Sequence, residues 1–151
     1  MKNILIIKSN LKKRAFATFI DYILMFMLCI LYLEYFGVET QEGTKKVEGV
    51  MALPVFIAWF IYFVVIESVY NATLGHLAVN LRVLTEDHTD ASLIQVLKRH
   101  LLDPIDFFIY GIPAFITIAN TEKHQRLGDL WAKTIVVDIS DPDQYVKAYK
   151  K

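Results

Sequence analysis

The feature that most constrains this chain is an apolar run over residues 15–36, opened by Arg14 and interrupted by Asp21. At about 1.5 Å of rise per residue, such a helix covers about 33 Å, enough to cross a hydrocarbon core of about 30 Å. A carboxylate at the bilayer centre costs about 2.5–3.5 kcal/mol on insertion scales, so Asp21 marks a candidate functional site. Arg14 and Asp21 lie about two turns apart and face the same way. The run predicts a transmembrane helix whose polar face packs against the rest of the chain.

The composition agrees with an integral membrane protein. Of the 151 residues, 55% are hydrophobic, more than a soluble domain of this size could bury. The formal net charge is zero, so no overall field points to nucleic acid. We find no catalytic, nucleotide-binding or metal-binding motif, and we predict no enzyme activity, no cofactor and no metal.

Basic residues indicate the orientation. Every charged residue before Asp21 is a lysine or an arginine, which predicts a cytoplasmic N-terminus in the cell membrane. The apolar run is too long for a signal peptide and no small-residue cleavage site follows it. It is therefore interpreted as a retained anchor, followed by an external connector over residues 37–48.

Residues 50–70 predict a second span that returns the chain to the cytoplasm, with Glu67 near its inner end. Antiparallel neighbours would hold Asp21, Glu67 and Arg14 in one layer, in which the guanidinium pairs with the carboxylates. The alternative is that Glu67 reaches out to the headgroups.

The next segments predict smaller elements. Residues 79–84 alternate apolar and polar side chains as a strand does. Residues 92–102 predict an amphipathic helix, capped by Asp90 or Ser92, that lies in the inner interface with its basic residues toward anionic headgroups. A second β-branched run, residues 134–137, could pair with the first strand.

Residues 103–119 form a third apolar stretch, short for a span and broken by Gly111 and Pro113. Basic residues follow it, so we predict a kinked or re-entrant segment with a cytoplasmic C-terminus. Asp103 and Asp106 would cap its start. The predicted fold is an all-α membrane protein with two transmembrane helices, this third segment, the interfacial helix and a small cytoplasmic two-stranded β element.

Four pieces in one order resemble the RDD family of small bacterial membrane proteins, named for one arginine and two aspartates. They are the arginine before the first span with its internal aspartate, a second span ending in a glutamate, the segment TLGHLAVNLRVLTED, and RLGDLWAKTIVV. The resemblance covers residues 12–138 as one domain and leaves 139–151 as a polar tail that we expect to fray.

The resemblance places the family's arginine on Arg14 and its two aspartates on Asp21 and Asp129. The Thr-Pro-Gly-Lys usual after the second span reads here Thr-Leu-Gly-His, over residues 73–76. Membership implies a polytopic membrane protein, and cation/proton antiport is proposed for some members.

Each marked residue also has a structural interpretation. Arg14 could be an interfacial anchor, Asp21 a polar clamp between helices, and Asp129 a helix cap or a partner of Arg126 or Lys133. The residues assigned to a charge network or ion site are Arg14, Asp21, Glu67, Asp106, Arg126 and Asp129.

Two functions remain open from the sequence. The first is a cation/proton exchanger, in which a monovalent cation and a proton compete for Asp21, helped by Glu67 and Asp106. One copy has too few spans to enclose a pathway, so this function requires a homo-oligomer. The second is a non-transporting module that packs against a partner protein or organises lipid in the bilayer.

Overall fold

Two long apolar helices dominate the structure, a computed structural model that describes residues 6–144. Helix α1 spans Leu11–Phe36, and the second span covers Gly49–Tyr70. Both confirm the predicted transmembrane helices. A small hairpin of β1 (Val38–Glu39) and β2 (Lys45–Lys46) joins them.

The second span is not uniformly α-helical. A 3₁₀ turn at Gly49–Ala52 leads into α2 (Leu53–Trp59), a wider π-helical stretch (Phe60–Ile66) and α3 (Glu67–Tyr70). π-Helical turns are rare and often lie at functional sites. Here the stretch carries Tyr62 and ends immediately before Glu67.

After the second span come helix α4 (Leu74–Ala78), strand β3 (Leu81–Thr85) and helix α5 (Leu93–Leu101). Ser92 caps α5, and Gln95 completes a reciprocal capping box. The amphipathic helix was predicted, but the prediction that its basic residues lie toward lipid headgroups is wrong for Arg99 and His100. Arg99 and His100 are buried, because α5 packs between the second span and the C-terminal elements.

The third apolar stretch is bent. Helices α6 (Asp103–Asp106) and α7 (Phe108–Asn120) follow α5, and the chain turns by 118° between α5–α6 and α7. Ile109, Tyr110 and Gly111 all have positive φ at this break, where the glycine adopts the conformation without strain. Asp103, at the start of the stretch, lies 2.9 Å from Arg126, beyond its far end. The bend confirms the predicted kinked or re-entrant segment.

Helix α8 (Leu127–Ala132) and strand β4 (Thr134–Asp138) complete the fold. Strand β4 pairs antiparallel with β3, with Val83 opposite Val136, as predicted. The sheet packs on α5 and the second span through a small core of Val64, Leu81, Val83, Ala91, Val96 and Val136.

The two ends of the described chain meet. Lys8 pairs with Asp141 at 2.6 Å, Asn10 donates to Gln144 at 2.7 Å, and Lys13 pairs with Asp138. Residues 139–144 therefore do not fray as expected, because they pack on the start of α1. Residues 145–151 of the predicted tail lie outside the described part of the chain.

Candidate functional site

The buried face of α1 consists of Arg14, Ala17 and Asp21, as the seven-residue spacing predicts. The two polar side chains of this face enter different surroundings. Arg14 joins a cluster of charged side chains, and Asp21 lies in a group of uncharged hydrogen-bond donors. We describe these as the arginine network and the Asp21 cage.

The Asp21 cage consists of Asp21, Tyr62, Thr73, Gly75 and His76. The Tyr62 hydroxyl and the Gly75 backbone N–H each donate to Oδ1 of Asp21 at 2.7 Å. The Thr73 hydroxyl donates to Oδ2 at 2.6 Å. These donors come from the second span and from α4, so the carboxylate joins three parts of the fold.

Gly75 permits this arrangement because α4 lies directly against α1. A Cβ at this position would be 2.1 Å from the Ala17 carbonyl oxygen and 2.7 Å from the Asp21 carboxyl group. Only glycine brings its own N–H close enough to donate to the carboxylate. The cage therefore depends on the Thr-Leu-Gly-His turn that follows the second span.

His76 is the nearest ionisable nitrogen that the structure shows beside Asp21, with Nδ1 at 3.8 Å from Oδ2. Burial lowers the pKa of His76 to about 3, and the neighbouring guanidiniums of Arg99, Arg14 and Arg126 act in the same direction against the attraction of Glu67. The imidazole is thus neutral near pH 7. Among the described residues, Asp21 has no permanently charged partner within 4 Å.

The predicted pairing of Arg14 with Asp21 and Glu67 is wrong. Arg14 donates to Oδ2 of Asp129 at 2.7 Å and to the carbonyl oxygen of His124 at 2.8 Å. It is buried and paired with Asp129, so the interpretation as a free interfacial anchor is wrong too. The side chain points toward α8, because Asp129 of that helix lies beside the start of α1.

The arginine network contains eight charged or ionisable side chains, all buried: Arg14, Glu67, Arg99, His100, Asp103, Asp106, Arg126 and Asp129. Asp129 is its centre, in ion pairs with Arg14 and Arg99 and 3.6 Å from Arg126. Burial alone would raise the pKa of Asp129, but the three guanidiniums hold it well below its usual range.

Glu67 belongs to this network and does not reach the headgroups. It is fully buried, accepts a hydrogen bond from Nε of Arg99 at 2.8 Å, and lies 3.2 Å from Nε2 of His100. His100 also contacts Asp103 at 2.7 Å. Two basic residues of α5, Arg99 and His100, therefore pair with buried acids.

The remaining acids bind the start of α8. Asp106 accepts hydrogen bonds from the backbone N–H groups of Leu127 and Gly128 at 3.0 and 2.9 Å. It caps α8 and not its own segment, which corrects the sequence prediction. Asp103 pairs with Arg126 at 2.9 Å. Burial alone would lower the pKa of Arg126, but neighbouring carboxylates, Asp103 first among them, outweigh burial and raise it.

Sequence reasoning missed Arg99, His100 and Asp103 in the network and every partner of Asp21 in the cage. The basic end of α5 was visible, but an amphipathic helix gives the same pattern beside headgroups as beside buried acids. The threonine and glycine after the second span were visible as part of the family resemblance, without a role. The hydroxyl of Tyr62 gave no signal within an aromatic-rich span.

A cavity of about 360 Å³ lies between α1 and α7. Arg14, His76, Arg99 and Arg126 line its polar part, and side chains such as Phe19, Ala114 and Phe115 line the rest. His76 thus connects the cavity to the Asp21 cage.

The comparisons with known proteins give one match. The family model described as "RDD family" matches residues 8–133, which is most of the chain. No curated protein and no solved structure matches it.

Proposed function

The chain belongs to the RDD family, and from this premise we propose that it exchanges protons for a monovalent cation across the membrane, with Asp21 as the exchanging carboxylate. The observation that carries the proposal is the Asp21 cage, a buried carboxylate inside a span that is held by uncharged donors. An isolated charge in apolar surroundings is costly, and a proton or a cation would relieve that cost.

The cage has the ligands that a small hard cation requires. Both carboxylate oxygens of Asp21, the Thr73 hydroxyl and the Tyr62 hydroxyl converge within hydrogen-bond distance. Oxygen ligands suit hard cations, and hydroxyl oxygens can turn their lone pairs toward an ion when the proton on the carboxylate leaves. A cation would replace the donated hydrogen bonds with direct coordination.

A proton can reach Asp21 through His76. Nδ1 of His76 lies 2.7 Å from the Thr73 hydroxyl, which lies 2.6 Å from Asp21. If Nδ1 carries the imidazole proton, it passes to Thr73 as the Thr73 proton passes to Asp21, while the other ring nitrogen accepts a proton from the cavity. The imidazole ends neutral, in agreement with its lowered pKa.

The proposal includes an oligomer and an orientation. Within the most apolar window of each span only 11% of the residues are buried, so one copy leaves its spans mostly uncovered. A homo-oligomer would enclose the path that one copy cannot. The basic flank of α1 predicts a cytoplasmic N-terminus, and residues 138–144, which contact it, would lie on the same side.

A second function, a non-transporting module, is favoured by the arginine network. Nearly all of its charged side chains form ion pairs with one another within the described chain, as expected of a group that fixes helix packing. In this reading Asp21 is a polar clamp between α1, α4 and the second span. The cage fits a clamp geometrically, and only transport measurements separate the two functions.

The experiment measures proton movement in proteoliposomes that contain a pH-sensitive dye. External Na⁺ or Li⁺ should drive protons outward from wild-type vesicles, and Asp21→Asn should remove this response. Asp87→Asn, in an exposed turn, is the matched control and should transport normally. A folded wild-type protein without any response would overturn exchange of these ions and favour the module.

A further inference from the structure

The cavity between α1 and α7 has the form of a site for an amphiphile. Its apolar walls come from both helices, with Ala15 and Phe19 on α1 and Ala114 and Phe115 on α7. Phe19 and Phe115 are also exposed on the apolar surface, so the cavity opens toward the lipid. A volume of about 360 Å³ falls within the range of small-molecule sites.

The charged residues that line the cavity are all arginines: Arg14, Arg99 and Arg126. Among the described residues no carboxylate lines it, because the acids of the arginine network lie behind the guanidiniums. The cavity therefore presents positive charge although the network as a whole is nearly balanced.

Arg126 adds a second, independent observation. The side chain is 8% exposed, and its Nε has no hydrogen-bond partner in the described chain. The nearest carboxylate oxygens, of Asp129 and Asp106, lie 3.6 and 3.8 Å away. Nε lies close to both carboxylates but bonds to neither, so the described chain does not use all the donors of a guanidinium that lines the cavity. Guanidinium groups bind phosphate strongly, which favours an anionic ligand here.

The charged and the apolar parts of the cavity lie at different depths along α1, as the headgroup and the acyl chain of a lipid do. Arg14 lies in the first turn of α1, near the headgroup level, and Phe19 lies about 7.5 Å further along the helix axis. The geometry points to an anionic phospholipid of the surrounding bilayer as the occupant, with its phosphate at Arg126 and Arg14 and an acyl chain along the apolar walls. This inference does not depend on ion exchange.

The test measures lipid binding to the delipidated protein in detergent by native mass spectrometry. Phosphatidylglycerol should bind more tightly than phosphatidylcholine with the same acyl chains. Arg126→Lys keeps the charge beside Asp103 but removes the guanidinium from the cavity wall, and should weaken phosphatidylglycerol binding about tenfold, the size of one charge-assisted hydrogen bond.

A second variant tests the apolar part without touching any charge. Ala15→Phe adds a ring to an exposed position at the cavity and should abolish the preference for phosphatidylglycerol. Ala52→Phe makes the same change at an exposed position at the start of the second span and should bind like wild type.

Circular dichroism and a monodisperse elution profile establish that each variant is folded. If Arg126→Lys does not fold, Ala15→Phe decides alone. Equal affinity for the two lipids in wild type, or unchanged binding in a folded Ala15→Phe, overturns the inference. So does a change of oligomeric state in Ala15→Phe without any lipid selectivity, because a second copy would then fill the cavity.

Discussion

Arg14 and Asp21 share one face of α1, two turns apart, and yet they are stabilised in opposite ways. Arg14 enters a network in which guanidiniums and carboxylates neutralise each other, whereas Asp21 is surrounded by hydroxyl and amide donors without a fixed positive charge. The first arrangement suits a fixed structure. The second leaves room for a mobile cation or proton, because no resident charge has to be displaced.

The largest expected effect is in the arginine network. Asp129→Asn keeps the side-chain shape but leaves three buried guanidiniums without their shared carboxylate. Removing one partner of a buried ion pair costs about 3–5 kcal/mol, so unfolding in detergent, followed by tryptophan fluorescence, should occur at a much lower temperature. Asp87→Asn is the control. A loss below about 1 kcal/mol would show that the network is not what holds α8 on α1.

The next effect concerns the close approach of α4 to α1. Gly75→Ala places a methyl group on the Ala17 carbonyl oxygen and on Asp21, and overpacking of this kind costs about 1–3 kcal/mol. Leu74→Ala, at an exposed neighbouring position, should change stability by less than about 0.5 kcal/mol. Equal stability of Gly75→Ala and wild type would contradict the contact that forms the cage.

The pH dependence tests whether His76 is neutral. Its pKa is about 3 in the folded protein and 6.5 in its unperturbed state, so unfolding takes up a proton between these values. Stability should therefore fall as the pH drops below 6.5, by at most about 1.4 kcal/mol per pH unit for this group. Thermal unfolding of wild type and His76→Gln is compared at pH 6.5 and 5, so that groups present in both proteins, such as His100, cancel. His76→Gln should flatten the curve, and an unchanged slope would contradict a neutral imidazole.

The smallest effect is expected for Asp21→Asn. The amide retains one oxygen that accepts from Tyr62 and Gly75, and no cation loses its partner. We expect a loss of less than about 1 kcal/mol, measured beside Asp129→Asn under the same conditions. A loss as large as that of Asp129→Asn would erase the contrast between cage and network, because it would mean that Asp21 carries a structural charge.

The sequence predicts those features that depend on local periodicity. The two spans, the shared face of Arg14 and Asp21, and the pairing of β3 with β4 follow from apolar length, helical spacing and β-branched runs. The break near Gly111 follows from residues that disfavour a continuous helix.

The partners of each charge could not be predicted, because they come from segments far apart in the chain. An arginine at the start of α1 is expected both for a positive-inside flank and for a buried ion pair. Only the packing of α8 against α1 shows that Arg14 forms an ion pair. Likewise, the sequence of α5 does not show that Arg99 will contact Glu67 rather than a headgroup.

The bond from Arg14 to Asp129 joins residues 115 positions apart. A ribosome adds about 5–20 residues per second, so Arg14 is made on the order of ten seconds before its carboxylate partner. During that interval the first helix carries Arg14 without its partner Asp129. A chain that ends before α8 cannot form this ion pair, so its Arg14 has no carboxylate from α8 to bind.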